Sequence, residues 1–232
     1  VKNLLQIKTP VIGARREYEA IQHLSRNAVQ CPKIKGIAFR GLNPAKSSSF
    51  LITEELDSTI SLEDFFLKRL HEELSFRDKK HLIIRVADLI RRMHATGLNH
   101  RDLYLCHIHI KNNFDFNNID LSLIDLHRAQ IRTKVPRRWL IKDLGGFIHS
   151  VLQFNLTERD FYRFFMTYFD CSLQELTGKY QNLIQNILDR AFKMYLKPQI
   201  KSISLKDMHS KSDAFGFSKC LEGNRRFLIK KR

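Results

Sequence analysis

In residues 14 to 28, ARREYEAIQHLSRNA, Tyr18, Ile21 and Leu24 recur near helical spacing with charged residues between them, which predicts an amphipathic helix. IKGIAFRG and SSFLITEEL follow as strands, bounded by the turn residues Gly41, Asn43 and Pro44. SLEDFFLKRLHEEL reads as a helix capped by Ser61, with Asp64 in its first turn. RDKKHLIIRVADLIRRMHATG is a longer helix whose apolar face is Leu82, Val86, Leu89, Ile90 and Met93, and Gly97 is placed to end it. HIHI and IDLSLID then alternate around the turn-rich KNNFDFNN, the pattern of a β-hairpin. From RWLIKDLGGFIHSVLQFNL onward the periodicity is helical. Phe147, Val151 and Phe154 mark one helix, Thr157 caps the aromatic-rich TERDFYRFFMTYF, and LIQNILDRAFKMYL follows. No internal repeat is present, and the order of elements predicts an α+β fold.

With 43% hydrophobic residues in 232, the chain has enough apolar surface for a real core. Cys31, Cys106, Cys171 and Cys220 lie far apart with no CxxC pair, so neither a disulfide framework nor a zinc ribbon is expected, and a reducing cytoplasm fits best. No run approaches the roughly 20 apolar residues that span a bilayer, which predicts a soluble or peripheral protein. The sequence starts at Val1, and residues upstream of it are expected to be missing. A net charge of +16 predicts attraction to polyanions, namely nucleic acid, an anionic membrane face or an acidic substrate. Half of that charge lies in residues 193 to 232, which hold 11 Lys/Arg against 3 Asp/Glu.

The candidate chemistry lies between the long helix and the hairpin. GLNHRDLYLCHIHI contains His100, Arg101 and Asp102 in a loop after a helix, with His107 five residues after Asp102. Asp125 follows 23 residues after Asp102, at the end of an apolar strand. A lone His-Arg-Asp is weak evidence, since it also suits a polar surface turn. Two aspartates placed in this way are what phosphoryl transfer from ATP needs: one to orient the attacking hydroxyl, one to hold a metal ion. Residues 126 to 142 then contain Arg128, Arg132, Lys134, Arg137, Arg138 and Lys142 with no acidic residue.

The phrases GLNHRDLYLCHIHI, LSLIDLHRAQIRTKVPRRWLIKDLGG, SFLITEELDSTISLEDF and VKNLLQIKTPVIGARREYEAIQHL together resemble the core heptose kinases of the lipopolysaccharide kinase family, which is related to protein kinases. The resemblance runs from residue 1 to about residue 196 and includes long phrases such as IDLHRAQIR and VPRRW. It implies a protein-kinase-like, two-lobed fold with an incomplete small lobe and a mainly helical large lobe. Residues 1–56 would be the small-lobe remnant to the hinge, 57–196 the catalytic lobe and 197–232 a basic extension. The implied reaction is ATP-dependent phosphorylation of a heptose hydroxyl of the lipopolysaccharide inner core, with magnesium, at the cytoplasmic face of the inner membrane.

Residue by residue, the resemblance makes Asp102 the catalytic aspartate, within His100-Arg101-Asp102, and Asp125 a magnesium ligand, with His107 where protein kinases have a metal-binding Asn. Glu17 matches the helix glutamate that partners a phosphate-binding lysine. ITEEL brings Glu54, Glu55 and Leu56 to the hinge that holds adenine, and Asp143 resembles the helix aspartate beneath the catalytic loop. Arg128, Arg132, Arg137 and Arg138 are expected to meet the acceptor, whose inner core carries Kdo carboxylates and lipid A phosphates; Arg forks suit such oxyanions. A zinc site at His107 and His109 is not expected, because no Cys/His cluster accompanies them.

The sequence departs from the family at both ends. The family's glycine-containing strand pair and its strand lysine precede the point at which this sequence starts, which opens a rival reading: a catalytically inactive kinase-like module that binds anionic lipid or a protein. Near the other end, AFGFSKCLEGNRRFLIKKR reads as a hairpin turning at Glu222-Gly223-Asn224. Three readings of it stand: an unrelated basic tail, the start of a second kinase-like unit, or a hairpin that folds back and supplies Lys230 in place of the missing lysine. Specific nucleic-acid binding is not expected, because charge alone supports it and no recognition motif accompanies the charge.

Overall fold

The computed structural model describes residues 14–41, 48–68, 74–112, 119–154 and 156–202. Helix α1, Arg15–Arg26, buries Ala20, Ile21 and Leu24, while Tyr18 is only half-buried; the inward face has turned slightly toward Ala20. Strands β1, Ile34–Arg40, and β2, Ser48–Thr53, form an antiparallel pair beside α1. The hairpin at residues 214–232, with Lys230, lies outside the described residues, as do Asn43, Pro44 and residues 69–73 of the predicted second helix.

Strand β3, Thr59–Ser61, leads directly into α2, Leu62–Lys68. Ser61 caps α2 as its sequence suggests: its Oγ accepts the Asp64 N–H at 3.0 Å and donates to the Asp64 carboxylate at 2.7 Å. Helix α3, Phe76–Ala95, buries all five predicted face residues. It ends at Gly97, whose φ of 83° is left-handed backbone. A Cβ there would lie 1.8 Å from the Arg132 carbonyl oxygen, so this position requires glycine for space as well as for φ.

The predicted hairpin forms from β5, Ile108–Lys111, and β6, Leu121–Leu123, and β3 adds to its free side to make the order β3-β5-β6. Two short strands with no periodicity to announce them, β4, Leu98–Asn99, and β7, Gln130–Ile131, pair with each other across the loops that carry Asp102 and Asp125. Helices α4, Arg137–Val151, α5, Glu158–Phe169, α6, Leu173–Gly178, and α7, Gln181–Ser202, complete the described residues. The core is continuous from Leu24 of α1 through Met93 of α3 and Leu144 of α4 to Ile187 of α7. Among the described residues no helix is long and apolar enough to cross a membrane.

One buried charge fixes the start of α5. Asp160 forms a capping box with Thr157 and also receives Lys79 Nζ at 2.9 Å and Arg163 Nη1 at 2.9 Å. Burial alone would raise its pKa, but the Thr157 backbone and hydroxyl donors and Lys79 outweigh burial and hold it below the ordinary 3.8. A depressed folded-state pKa means that this contribution to stability is complete above about pH 4 and fades as the pH falls through the folded value. Asp160→Ala strands two cations and removes a cap, and is expected to cost about 3 kcal/mol. Urea unfolding at pH 7 measures that loss, and the gap between the two proteins narrows toward pH 2; a gap that stays constant with pH would refute the assignment.

Candidate active site

The loop after β4 is anchored from below. His100 and Arg101 donate their backbone N–H groups to the Asp143 carboxylate of α4, at 2.6 and 2.8 Å. Asp143 is 0% exposed, and its further neighbour is His94 Nε2 at 3.3 Å. A carboxylate can only accept, so Nε2 of His94 carries a proton and its Nδ1 accepts from the Tyr168 hydroxyl at 2.7 Å. Burial, and then the Asp143 charge, pushes the Tyr168 pKa upward, which keeps that hydroxyl a donor. His100 is also buried. Burial lowers its pKa, and its Nε2 donates to the Ile124 carbonyl at 3.0 Å, tying the loop to the strand that ends at Asp125.

Two non-glycine residues here adopt left-handed backbone, Arg101 with φ 75° and Asp125 with φ 58°. Such residues cost about 1–3 kcal/mol each unless the surroundings over-determine them. The Asp143 bonds do so at Arg101.

His107 joins the two loops. Its Nδ1 lies 2.7 Å from the Asp102 carbonyl oxygen, which can only accept, so Nδ1 bears the proton. In the neutral form of the ring an unprotonated Nε2 faces Asp125 Oδ2, 3.3 Å away, and in the protonated form Nε2 donates to that oxygen. Two acceptors facing each other repel unless a proton or a metal ion lies between them. Adjacent ligands of an octahedral ion with bonds of about 2.1 Å lie about 3 Å apart, a spacing this nitrogen–oxygen pair approaches, although among the described residues no group of three or more His, Cys, Asp or Glu gathers into a metal site. Asp125 Oδ1 meets His127 Nδ1.

Asp125 also faces a cleft. The cleft, of ≈ 390 Å³, is lined by Glu17, Glu54, Glu55, Leu56 and Asp125 together with Thr59 and His109. Three residues expected at a hinge and the expected helix glutamate thus share one cavity with the expected metal ligand. Burial, and next the Asp125 charge, raises the pKa of Glu17, whereas a glutamate on a solvated helix face would have neither influence.

The comparisons with known proteins decide the family. Residues 1–168 match the model of the lipopolysaccharide kinase (Kdo/WaaP) family. The chain belongs to that family. This Kdo/WaaP-family chain is 43% identical to the lipopolysaccharide core heptose(I) kinase WaaP of Escherichia coli strain K12 over 205 residues, 88% of the chain and 77% of the relative. It is 40% identical to the enzyme of the same name from Pseudomonas aeruginosa strain PAO1 over 200 residues, 85% of the chain and 75% of the relative. A solved structure of WaaP in complex with acyl carrier protein superposes with a TM-score of 0.73 at 38% identity, covering 79% of this chain and 77% of that one. The protein-kinase-like α+β fold implied by the sequence phrases is the fold of this Kdo/WaaP-family kinase, and the family implies ATP and a divalent metal ion.

The four expected acceptor arginines are not alike in the structure. Arg128 places Nη1 2.9 and 2.7 Å from the two carboxylate oxygens of Asp102. Arg132 bonds to the side chains of Asn99 and Gln130 and so braces β4 against β7. Arg137 is exposed at the start of α4, and Arg138 lies against Trp139. The sequence does not signal the Arg128–Asp102 pair, the Trp139 environment or the presence of Thr59 and His109 in the cleft. Each depends on turns that bring distant residues together.

Proposed function

We propose that this kinase transfers the γ-phosphate of ATP to a heptose hydroxyl of the lipopolysaccharide inner core, using magnesium. The observation that carries this reading is His107, whose two ring nitrogens touch the Asp102 loop and Asp125 at the mouth of the cleft. The names of the relatives support heptose as the acceptor.

In this reading Asp102 orients the acceptor hydroxyl and takes its proton. The hydroxyl oxygen forms a bond to the γ-phosphorus as the bond to the β,γ-bridging oxygen breaks, and ADP leaves. Asp125 and His107 would hold magnesium, which neutralises phosphate charge when bound. Backbone groups of Glu54, Glu55 and Leu56 hold adenine, and residues 1–56 and 57–196 serve as the small and catalytic lobes. Lys230 remains a candidate for the phosphate-binding cation. The net charge of +16 supports docking at an anionic inner-membrane surface from the cytoplasmic side. The solved relative's complex supports acyl carrier protein as a further partner.

The test is transfer of labelled γ-phosphate to inner-core lipopolysaccharide lacking heptose phosphate, with the labelled sugar identified after hydrolysis. Label on heptose is expected, and label elsewhere would overturn the acceptor assignment. Chelation with EDTA is expected to reduce transfer at least 100-fold, with magnesium restoring it. Full activity in EDTA would exclude the metal role of Asp125 and His107.

A further inference from the structure

Four cations surround one indole beside the catalytic loop. The charge centres of Arg101, Arg132, Arg138 and Lys142 lie 5.1, 5.5, 5.2 and 5.1 Å from the centre of the Trp139 ring. They come from three places: the loop before Asp102, the segment after β7, and the first turns of α4. A ring has two faces, and each cation–π contact is weak beside the repulsion among unit charges held so close together. The cluster is therefore not satisfied by its own aromatic centre.

Nor do the neighbouring carboxylates balance it. Arg128 occupies Asp102, and Asp143 accepts the backbone N–H groups of His100 and Arg101. Arg132 is held by Asn99 and Gln130. That leaves Arg101, Arg138 and Lys142 without an ion pair among the described residues, and the Asp102 charge that reaches Arg101 and Lys142 is already shared with Arg128. Burial, and then the nearby Arg101 and Arg128 charges, lowers the pKa of Lys142. Two N–H donors in the cluster, Trp139 Nε1 and Arg101 Nε, are buried and donate to no described acceptor. The positive end of α4, a 15-residue helix that starts at Arg137, adds to the same field.

We infer that Arg101, Arg138 and Lys142, gathered around Trp139, hold an oxyanion carried by the acceptor glycan, a phosphate or a carboxylate, apart from the nucleotide cleft. None of these residues lines that cleft. Arg101 is the immediate neighbour of Asp102, so an anion held here lies beside the catalytic loop. An anion elsewhere on the acceptor glycan thus positions a hydroxyl of the neutral heptose for transfer, and a glycan without it lacks the anchor. The inference rests on the kinase reading and sharpens it, because it separates the residues that select the acceptor from those that bind nucleotide.

Trp139 is the chain's only tryptophan, so its fluorescence reports on this site alone. The experiment titrates the full chain, with saturating ADP present, with a hexose phosphate, a hexuronate, the neutral hexose and inorganic phosphate. Saturable change with one or both charged sugars and none with the neutral hexose is expected, and which sugar binds tells phosphate from carboxylate. Lys142→Ala and Arg138→Ala should each weaken that binding at least tenfold and raise the acceptor KM while leaving the ATP KM unchanged. Arg91→Ala, which removes a cation paired to Asp88 on α3, should bind as the parent does. No saturable change, or unchanged binding in both variants, would overturn the inference. Inorganic phosphate binding as tightly as the sugar phosphate would overturn its sugar component. Absence of transfer to any lipopolysaccharide by the parent would instead defeat the kinase reading, a separate result because binding is read without turnover.

Discussion

Asp102→Asn is expected to fold like the parent and to lose phosphoryl transfer by a factor of about 10²–10⁴. The amide keeps the shape of the carboxylate but cannot take the hydroxyl proton. Its effect on stability should be small. The ion pair with Arg128 is the interaction at risk, and with Arg128 46% exposed that pair is screened and contributes at most about 1 kcal/mol. Initial rates with labelled ATP and a thermal melt of each protein test the claim together. A rate within threefold of the parent would remove Asp102 from the catalytic role, and a melt far below the parent's would assign it a structural one. The same comparison decides between a kinase and a binding module without activity, because only the first predicts a parent rate that this substitution can lower.

Asp143→Ala should have the second large effect, and on a different quantity. It removes the acceptor for two backbone N–H groups and leaves His94 facing an empty place. Each buried donor left unpaired costs about 1–3 kcal/mol, so a loss of about 3–5 kcal/mol is expected, together with activity. Asp143→Asn keeps one acceptor oxygen but turns an NH₂ group toward donors, and should fall between the parent and Asp143→Ala. Urea midpoints order the three proteins, and the Asn variant remains informative if the Ala variant does not fold. Equal midpoints for all three would show that the loop is held by something else.

What the sequence makes legible follows from length and from chemistry. Helix α3 is long enough for Leu82, Val86, Leu89, Ile90 and Met93 to mark one face over about three turns, and all five are buried. The hairpin is readable because its arms alternate around a polar turn. Strands β4 and β7 have two residues each, too few to show a period, and they exist because tertiary structure brings Gly97 against Arg132. At the site, Asp102 and Asp125 are recognisable by type and spacing and Glu17, Glu54, Glu55 and Leu56 by resemblance to the family, and the structure gathers Glu17, Glu54, Glu55, Leu56 and Asp125 around one cleft. The arginines are not separable in this way. A run of basic residues from Arg128 to Lys142 carries one sign of charge, yet Arg128 turns to Asp102, Arg132 to Asn99, and Arg138 and Lys142 to Trp139. Local pattern records the charge and not the direction in which each side chain is drawn.

The anchoring of the catalytic loop also sets a time order. Asp143 lies 43 residues beyond His100 in the chain and accepts the backbone N–H groups of His100 and of Arg101, where the loop takes its left-handed turn. While the polypeptide is being made, His100, Arg101 and Asp102 emerge well before the carboxylate that shapes them. The loop therefore has no fixed form until α4 has been synthesised and has docked. A growing chain already carries every residue of the His-Arg-Asp triplet but is not yet a phosphotransferase, so the chemistry is switched on by the completion of folding.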